Sequence, residues 1–311
     1  MQTHRSNILF RYGISASLFI SAAITVYGQA ARTITVMTEP KAVIWLNGVR
    51  YGTTDETGRL SIKQAPAGKQ IVRVRANGFA ESTQTLLPAR KGIVAVRLTK
   101  TTDEAELALQ EAELLSTVDR AKAIEAYRKT IRLKPTHIDA HIGLARTLSE
   151  AGDFQGAVDT IKKAVTLQPK NAEAAAVNGR ILVLIGSEEK AIAAYKQAVV
   201  NGAGFQPEAN TGLGILFQDR AERAGSEGDF EQESKNFDEA AKYFSVAVKQ
   251  LGTSSDAPTI YQLLGVIYEK QKKYKEAIAL YETFLKLFPE SVEATAVRSF
   301  IVQLKKQMAE Q

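Results

Sequence analysis

The sequence contains no cysteine and only three histidines in 311 residues. Without cysteine, the chain forms no disulfide and offers no thiolate for a zinc site, an iron–sulfur cluster or nucleophilic catalysis. Three histidines leave little scope for imidazole-based metal sites. An enzyme with this composition would therefore depend on carboxylates, lysines and hydroxyls alone.

Several catalytic sequence motifs are also missing, namely G-x-S-x-G, the P-loop, G-x-G-x-x-G and the kinase signatures. His137 and His141 are four residues apart, but Pro135 predicts the end of a helix just before them. Ile138 also stands where the zinc-hydrolase motif H-E-x-x-H requires a glutamate. We expect these histidines to have a packing or boundary role, and the chain to be noncatalytic and to hold no cofactor or metal.

The N-terminal segment has the three-part organisation of a secretory signal. Residues 1–13 carry Arg5 and Arg11 and no acid, residues 14–26 form an uncharged apolar run, and small residues precede Ala31. Since the run is shorter than the ~20 residues of a membrane-spanning helix, a cleaved signal peptide over 1–30 is favoured over a permanent anchor. We therefore expect export to the bacterial periplasm or cell envelope, with an uncleaved inner-membrane anchor as the alternative.

Residues 31–100 have the sequence pattern of a small antiparallel β-sandwich. Runs with polar and apolar residues in alternation predict strands, and Asn47-Gly48 suits a tight hairpin turn. Six or seven strands in so short a segment cover a core only as two facing sheets. The predicted strand runs are TITVMT, AVIWLN, RLSIK, QIVRVRA and IVAVRLT.

This segment resembles two related modules of exported proteins. The run TEPKAVIWLNGVRYG, followed by PAGKQIVRVRANGF, is similar to the PEGA domain. The stretch TTDETGRLSIKQAPAGKQIVRVRANGF also resembles the carboxypeptidase-regulatory, transthyretin-like domain. Both resemblances imply a noncatalytic β-sandwich.

The charge of the chain is divided unequally between its two halves. Residues 32–100 contain 12 basic and 4 acidic residues, whereas residues 101–311 contain 26 basic and 30 acidic residues. We predict a basic β face that includes Arg73, Arg75 and Arg97. Such a face suits an anionic lipid, a cell-wall polymer or the acidic half of the same chain. Because we expect the chain to be exported, we expect no nucleic-acid partner.

From residue 104 onward the sequence repeats itself with a period of 34 residues. Ala123, Ala157 and Ala191 share this spacing, and Pro135 and Pro169 repeat it. The pattern predicts stacked antiparallel helix pairs, in which small residues allow close packing and proline ends the second helix.

These residues, with Tyr261, Leu264, Gly265 and Tyr268 in the last copy, resemble the tetratricopeptide repeat (TPR). The alignment predicts five repeats over 104–291 and an amphipathic capping helix over 292–311. The repeat boundaries are 104–137, 138–171, 172–205, 207–257 and 258–291.

Two repeats depart from the pattern. In the first, Gln110 and Glu111 stand where Leu-Gly is expected. The fourth carries surplus residues between Phe217 and Ala240, which predict a loop or an extended helix pair. Acidic residues in this insertion are spaced roughly like a calcium loop, but Gln232 occupies the position of the required glycine, so a solvated acidic segment is favoured.

The TPR resemblance implies that the first helix of each repeat lines a concave groove for a protein or peptide. Arginines in this groove suit a bound carboxylate, and the alternative is that they pair with acids of neighbouring repeats. The predicted groove residues are Asp139, Arg146, Glu150, Glu173, Arg180, Gln218, Asp219, Gln262, Glu269 and Lys270.

The sequence therefore predicts a noncatalytic exported adaptor or scaffold, whose groove binds a protein or peptide and whose β domain contacts an anionic envelope component or assembly. An alternative is an accessory carbohydrate- or peptidoglycan-binding subunit of an envelope enzyme system. Trp45 and Tyr51 are the candidates for stacking on a sugar, although Trp45 alternates with Ile44 in a pattern more typical of a core residue. A structural spacer without a ligand also remains open.

Overall fold

The computed structural model describes residues 32–66 and 68–310, so the predicted signal peptide lies outside the described residues. Seven strands occupy the first part of this region, and a series of helices follows. The strands are β1 Arg32–Met37, β2 Val43–Leu46, β3 Val49–Thr53, β4 Arg59–Ala65, β5 Gln70–Arg75, β6 Ser82–Leu86 and β7 Gly92–Ala95.

The strands form two sheets, one with the order β4-β1-β7 and the other with the order β3-β2-β5-β6. Ile34 and Val36 of the first sheet and Val72 and Val74 of the second belong to one buried apolar cluster. The predicted sandwich is therefore confirmed. It is mixed rather than purely antiparallel, because β1 and β7 pair in parallel. The chain passes through the other sheet between these two strands, so no hairpin sets their relative direction.

The β2–β3 hairpin turns at Asn47-Gly48 as the sequence predicts. Asn47 has φ 49° and Gly48 has φ 83°, which are the two positive values of a tight hairpin turn. β3 and β6 lie outside the five predicted runs. The sequence of β6, STQTL, is mostly polar and exposed, which is typical of a strand at the edge of a sheet.

The helices follow one another as antiparallel pairs with short connections. Each odd-numbered helix from α1 to α9 is the first helix of a pair, and α11 follows the last pair. Their bounds are α1 Glu104–Leu115, α2 Arg120–Leu133, α3 Ile138–Glu150, α4 Phe154–Leu167, α5 Ala172–Leu184, α6 Glu188–Asn201, α7 Pro207–Ser226, α8 Phe230–Leu251, α9 Ala257–Lys270, α10 Tyr274–Leu287 and α11 Ala294–Ala309.

Glycines of the first helices allow aromatic rings of the second helices to approach the backbone. A Cβ atom on Gly179 would lie 2.7 Å from Cδ1 of Tyr195, and one on Gly265 would overlap the hydroxyl oxygen of Tyr281. Both tyrosines are buried. The small-residue and aromatic positions of the repeat pattern are therefore two sides of one packing contact.

The surplus residues of the fourth repeat lengthen α7 and α8 to 20 and 22 residues. Of the two predicted forms, the insertion is therefore an extended helix pair. Its acidic residues form no calcium loop, because the Asp229 side chain accepts from the backbone N–H of Gln232 (3.0 Å) at the start of α8. Glu231 pairs with Lys235 one turn along that helix (2.6 Å).

The last helix, α11, buries its apolar face at Ala294, Val297, Ile301 and Leu304. This face packs on α10, as the amphipathic sequence predicts. Within residues 32–66 and 68–310, no helix is both long and apolar enough to cross a membrane.

We expect Gly179→Ala to lower the free energy of unfolding by about 1–3 kcal/mol, because the added methyl group overpacks the buried Tyr195 ring. The matched control is Gly225→Ala in α7, where a Cβ would meet only the end of the flexible Glu233 side chain. Chemical denaturation of both variants measures the difference. Equal losses of stability would contradict the ring-contact explanation.

Candidate functional site

The sandwich lies against the first helices of the repeats, on the face where the sequence predicts the groove. Residues of β5 contact α1 and α3, and the β2–β3 hairpin shares a cavity with α5, α7 and α9. Four of the predicted groove residues are therefore at the contact between the two parts of the chain, namely Asp139, Arg146, Glu173 and Arg180.

Arg75 on β5 is the centre of the contact with α1 and α3. Its side chain is only 5% exposed and donates hydrogen bonds to the carboxylates of Glu113 and Glu81. Its Nη2 also lies 3.3 Å from Oδ2 of Asp139. Arg73, two residues earlier on the same face, donates to that same oxygen (3.3 Å). Asp139 therefore joins both arginines to the second repeat.

The environment of this cluster shifts the pKa of its charged groups. Burial alone would lower the pKa of Arg75, but attraction to Glu113, Glu81 and Asp139 raises it above its ordinary value. Burial raises the pKa of the Glu113 carboxyl, against the opposing attraction of Arg75. The buried guanidinium therefore remains charged and needs its carboxylate partners.

Trp45 lies beside the two arginines on the outer face of the same sheet. It pairs with Arg73 across β2 and β5, and the Arg73 guanidinium carbon lies 4.5 Å from the ring centroid. The prediction that Trp45 belongs to the core is wrong. Its neighbours Ile44 and Leu46 fill the core, whereas Trp45 is half-buried and forms a cation–π contact.

Gln110 on α1 binds the backbone of the sandwich. Its Oε1 accepts from the N–H of Gly78 (2.8 Å), and its Nε2 donates to the carbonyl oxygen of Phe79 (2.7 Å). The side chain is buried, with 3% of its surface exposed. The departure of the first repeat from Leu-Gly therefore has a structural reason, since an amide is required where α1 meets the sandwich.

The other end of the sandwich contacts the C-terminal repeats. Tyr51 on β3 is buried, and a Cβ atom on Gly252, just after α8, would lie 2.8 Å from its hydroxyl oxygen. The apolar core of the sandwich is continuous with that of α8–α11. Tyr51 is therefore a packing residue rather than an exposed ring.

The predicted basic face, with Arg73, Arg75 and Arg97 together on one surface, is wrong. Arg73 and Arg75 belong to the four-stranded sheet and face the acidic helices of the same chain. Arg97 follows β7 at the other sheet and is exposed, so it belongs to a different surface. Of the predicted partners for Arg73 and Arg75, the acidic half of the chain is the one that the structure shows.

A cavity of about 730 Å³ lies between the β2–β3 hairpin and the repeats. Its walls are partly apolar and partly charged, and they come from both parts of the chain. The lining residues are Asn47, Gly48, Val49, Arg50, Ile71, Arg146, Ala172, Glu173, Arg180, Gly202, Phe205, Gln206, Pro207, Glu208, Thr211, Leu251, Asp256 and Ile260.

The predicted arginine pair of the groove is held by acids of neighbouring repeats. Arg146 donates to Glu208 (2.8 Å) and reaches Glu173 at 3.5 Å. Arg180 pairs with Glu150 at 3.3 Å. Of the two alternatives from the sequence, the structure therefore shows arginines paired with acids of other repeats, and not arginines free to bind the carboxylate of a ligand.

The remaining predicted groove residues lie away from this cavity. Asp219 lines a separate depression of about 650 Å³ with Glu188, Glu222 and Arg223, and burial raises the pKa of its carboxyl. Glu222 links two other predicted residues, because it accepts from Gln218 (3.3 Å) and Lys270 (2.8 Å).

Glu269 and Gln262 lie on α9, at the last predicted repeat. Glu269 accepts from the Tyr281 hydroxyl (2.8 Å), and Gln262 is exposed. The ten predicted groove residues therefore do not form one site.

The predicted groove residues omit several residues that line the cavity, in both parts of the chain. Glu208 and Thr211 occupy the second and fifth positions of the fourth repeat, so the repeat pattern carried a signal for them. Arg50 and Ile71 had no such signal, because only the docking of the sandwich brings them to the cavity.

The histidines lie at a helix boundary. His137 immediately precedes α3, and the buried His141 donates through Nε2 to the carbonyl oxygen of Pro135 (2.8 Å). In the part of the chain that the structure describes, no group of three or more histidines and acids is placed to hold a metal ion.

Comparison with protein families identifies tetratricopeptide repeats in the chain. Two models of this repeat match, one over residues 114–177 and the other over residues 258–291. The TPR prediction is therefore confirmed. The resemblance of residues 31–100 to PEGA and carboxypeptidase-regulatory domains stays a prediction.

Two solved structures are similar to part of this chain. Yeast Tom70 superimposes with a TM-score of 0.53 and 18% sequence identity, over 67% of this chain and 41% of Tom70. A thermophilic TPR protein of Thermus thermophilus gives a TM-score of 0.46 at 18% identity, over 64% of this chain and 98% of that one.

A curated relative matches a shorter segment. The BBSome complex member BBS4 homolog of Drosophila melanogaster is 32% identical over 115 residues, which is 37% of this chain. The match spans only 22% of that relative.

We expect Gln110→Leu to lower the free energy of unfolding by about 1–3 kcal/mol, although it restores the residue type that the repeat pattern favours. The substitution leaves the Gly78 N–H and the Phe79 carbonyl without their buried partner. Chemical denaturation of the full chain measures the effect. Unchanged or increased stability would contradict the role assigned to Gln110.

Proposed function

We propose that the chain is a noncatalytic exported adaptor that binds a protein or peptide at the cavity between the β2–β3 hairpin and the repeats. The observation that carries this proposal is the joint lining of the cavity by both parts of the chain. Ligand sites are commonly found at such boundaries, in cavities of about 300–1,000 Å³.

The cavity has the mixed chemistry that a peptide segment requires. Ile71, Phe205 and Ile260 offer an apolar wall, while Arg180 and Thr211 offer polar groups. Ile71 is 47% exposed on its strand, so its contact surface is available. Repeat arrays present extended concave surfaces of this kind to protein partners.

We also propose that the sandwich contacts an anionic envelope component, but not through Arg73 and Arg75. Arg73 and Arg75 are engaged with the helices, so such a contact falls to exposed residues such as Lys63, Lys91 and Arg97. The carbohydrate-binding alternative loses its two stacking candidates, because Arg73 covers the Trp45 ring and Tyr51 is buried. Export itself is tested separately, by fractionation of cells that express the chain.

We expect Ile71→Glu to reduce partner capture strongly, because it places a carboxylate in the apolar wall of the cavity. The matched control is Ile93→Glu on β7, a strand isoleucine that is 52% exposed and lies outside the cavity. The measurement is photo-crosslinking from a reactive residue at position 211, followed by identification of the adduct.

If Ile71→Glu loses a discrete crosslinked adduct and Ile93→Glu keeps it, the result supports the cavity as the binding site. Equal capture by the two variants would contradict this site. The same adduct from a reactive residue at the exposed position 163 on α4 would contradict it as well.

A further inference from the structure

The end of the sandwich at which β1 begins carries positive charge on exposed side chains. Arg32 at the start of β1 pairs with Ala65 at the end of β4, and Ile34 pairs with Gly92 at the start of β7. The β4–β5 and β6–β7 loops therefore both lie at this end. It exposes four cations and two large apolar side chains. We call these six residues the basic tip, which consists of Lys63, Lys69, Leu87, Arg90, Lys91 and Ile93.

Arg32 connects the two loops of this end from inside. Its side chain is buried, and its guanidinium donates to the carbonyl oxygens of Leu87 and Pro88 in the β6–β7 loop. The same guanidinium donates to the carbonyl oxygen of Gly68 in the β4–β5 loop (2.9 Å). Hydrogen bonds from a charged donor are stronger than neutral ones. The basic tip therefore presents its side chains as one connected surface.

The acids of the sandwich lie away from the basic tip. Glu39 follows the end of β1, and Asp55 and Glu56 precede β4, whose first residue pairs with the last residue of β1. Glu81 is engaged with the arginines of β5. In the part of the chain that the structure describes, no cation of the basic tip forms an ion pair. A positive surface without its own counter-charge attracts an anionic partner.

The apolar side chains of the basic tip favour a lipid surface over a dissolved polyanion. Leu87 is 64% exposed and Ile93 is 52% exposed, on either side of Arg90 and Lys91. A dissolved acidic polymer pairs with cations alone. A bilayer of anionic lipid also accepts apolar side chains, at the boundary between its headgroups and acyl chains. Cations beside exposed apolar groups therefore match an anionic bilayer.

The chain that precedes β1 gives a second reason for a lipid partner. The uncharged apolar run of residues 14–26 ends six residues before Arg32. Because an extended chain spans at most about 3.6 Å per residue, the start of β1 is within about 22 Å of the end of that run. A run held in a bilayer, before signal cleavage or as an anchor, therefore brings the basic tip to the lipid surface.

We propose that the basic tip docks the sandwich on an anionic lipid bilayer. Its four cations contact the headgroups, and its two apolar side chains reach the boundary with the acyl chains. The inference rests on the proposed contact of the sandwich with an anionic envelope component, and it identifies that component as lipid. No residue of the basic tip lines the cavity. Loss of lipid docking with retained capture at position 211 would therefore leave the cavity proposal standing.

The test uses the full chain with one fluorescent label, which is possible because the sequence has no cysteine. Ala89→Cys places the label in the β6–β7 loop, and Glu56→Cys places it at the opposite end of the sandwich. The vesicles carry a quencher on a lipid headgroup. They consist of phosphatidylcholine alone or of an equal mixture of phosphatidylcholine and phosphatidylglycerol.

In the mixed vesicles, we expect the label at position 89 to be quenched at least about threefold more than the label at position 56. We also expect the quenching at position 89 to fall at least about threefold in vesicles of phosphatidylcholine alone, because the headgroups then carry no net charge. High salt should weaken the quenching in the mixed vesicles, since it screens exposed charges.

Two double variants separate docking from overall charge. Arg90→Glu with Lys91→Glu reverses the charge of the β6–β7 loop and should reduce quenching at position 89 to its level with phosphatidylcholine alone. Arg59→Glu with Lys100→Glu makes the same change in net charge at exposed residues of the opposite end, and quenching should be unchanged. Leu87→Ser should also lower the quenching, because it removes an apolar contact.

Four results would overturn the proposal. Two are equal quenching at the two label positions and equal quenching of position 89 in both kinds of vesicle. A third is an equal loss in the two double variants, which would indicate attraction by net charge alone. The fourth is unchanged quenching in Leu87→Ser, which would indicate that any polyanion suffices. Circular dichroism checks that each variant keeps its fold.

Discussion

A buried guanidinium at the boundary between the sandwich and the repeats sets the arrangement of the two parts. Removing Arg75 from water costs several kcal/mol unless carboxylates surround it, and Glu81, Glu113 and Asp139 do so. These acids come from the sandwich, from α1 and from α3. The three elements must therefore keep one relative position for the guanidinium to be satisfied, and Gln110 fixes the same position through the backbone.

That constraint decides which concave surface remains for a partner. β5 covers the helices of the first two repeats, and the β2–β3 hairpin forms a wall over the next ones. A groove that would be open in a free repeat array becomes a bounded cavity with Ile71 on one side and Thr211 on the other. The sandwich thus forms one wall of the cavity that we propose as the binding site.

The repeat period and the strand alternation were enough to predict both folds, because each records local packing, such as that of Gly179 on Tyr195. The docking was not predictable, since it depends on contacts between residues far apart in sequence. Two signals pointed to it: the basic and acidic halves of the chain, and the departure at Gln110. The sequence pattern of β2 gave a wrong prediction of a core position for Trp45. Alternation identifies the two faces of a strand, but it does not identify which face is buried.

The most direct test of the docked arrangement is acrylamide quenching of Trp45, which is the single tryptophan of the chain. Asp139→Arg changes only the helix side of the contact, and Glu125→Arg makes the same charge change on an exposed surface of α2. The docked arrangement predicts stronger quenching in Asp139→Arg and unchanged quenching in Glu125→Arg. Equal quenching of the wild type and both folded variants would contradict it.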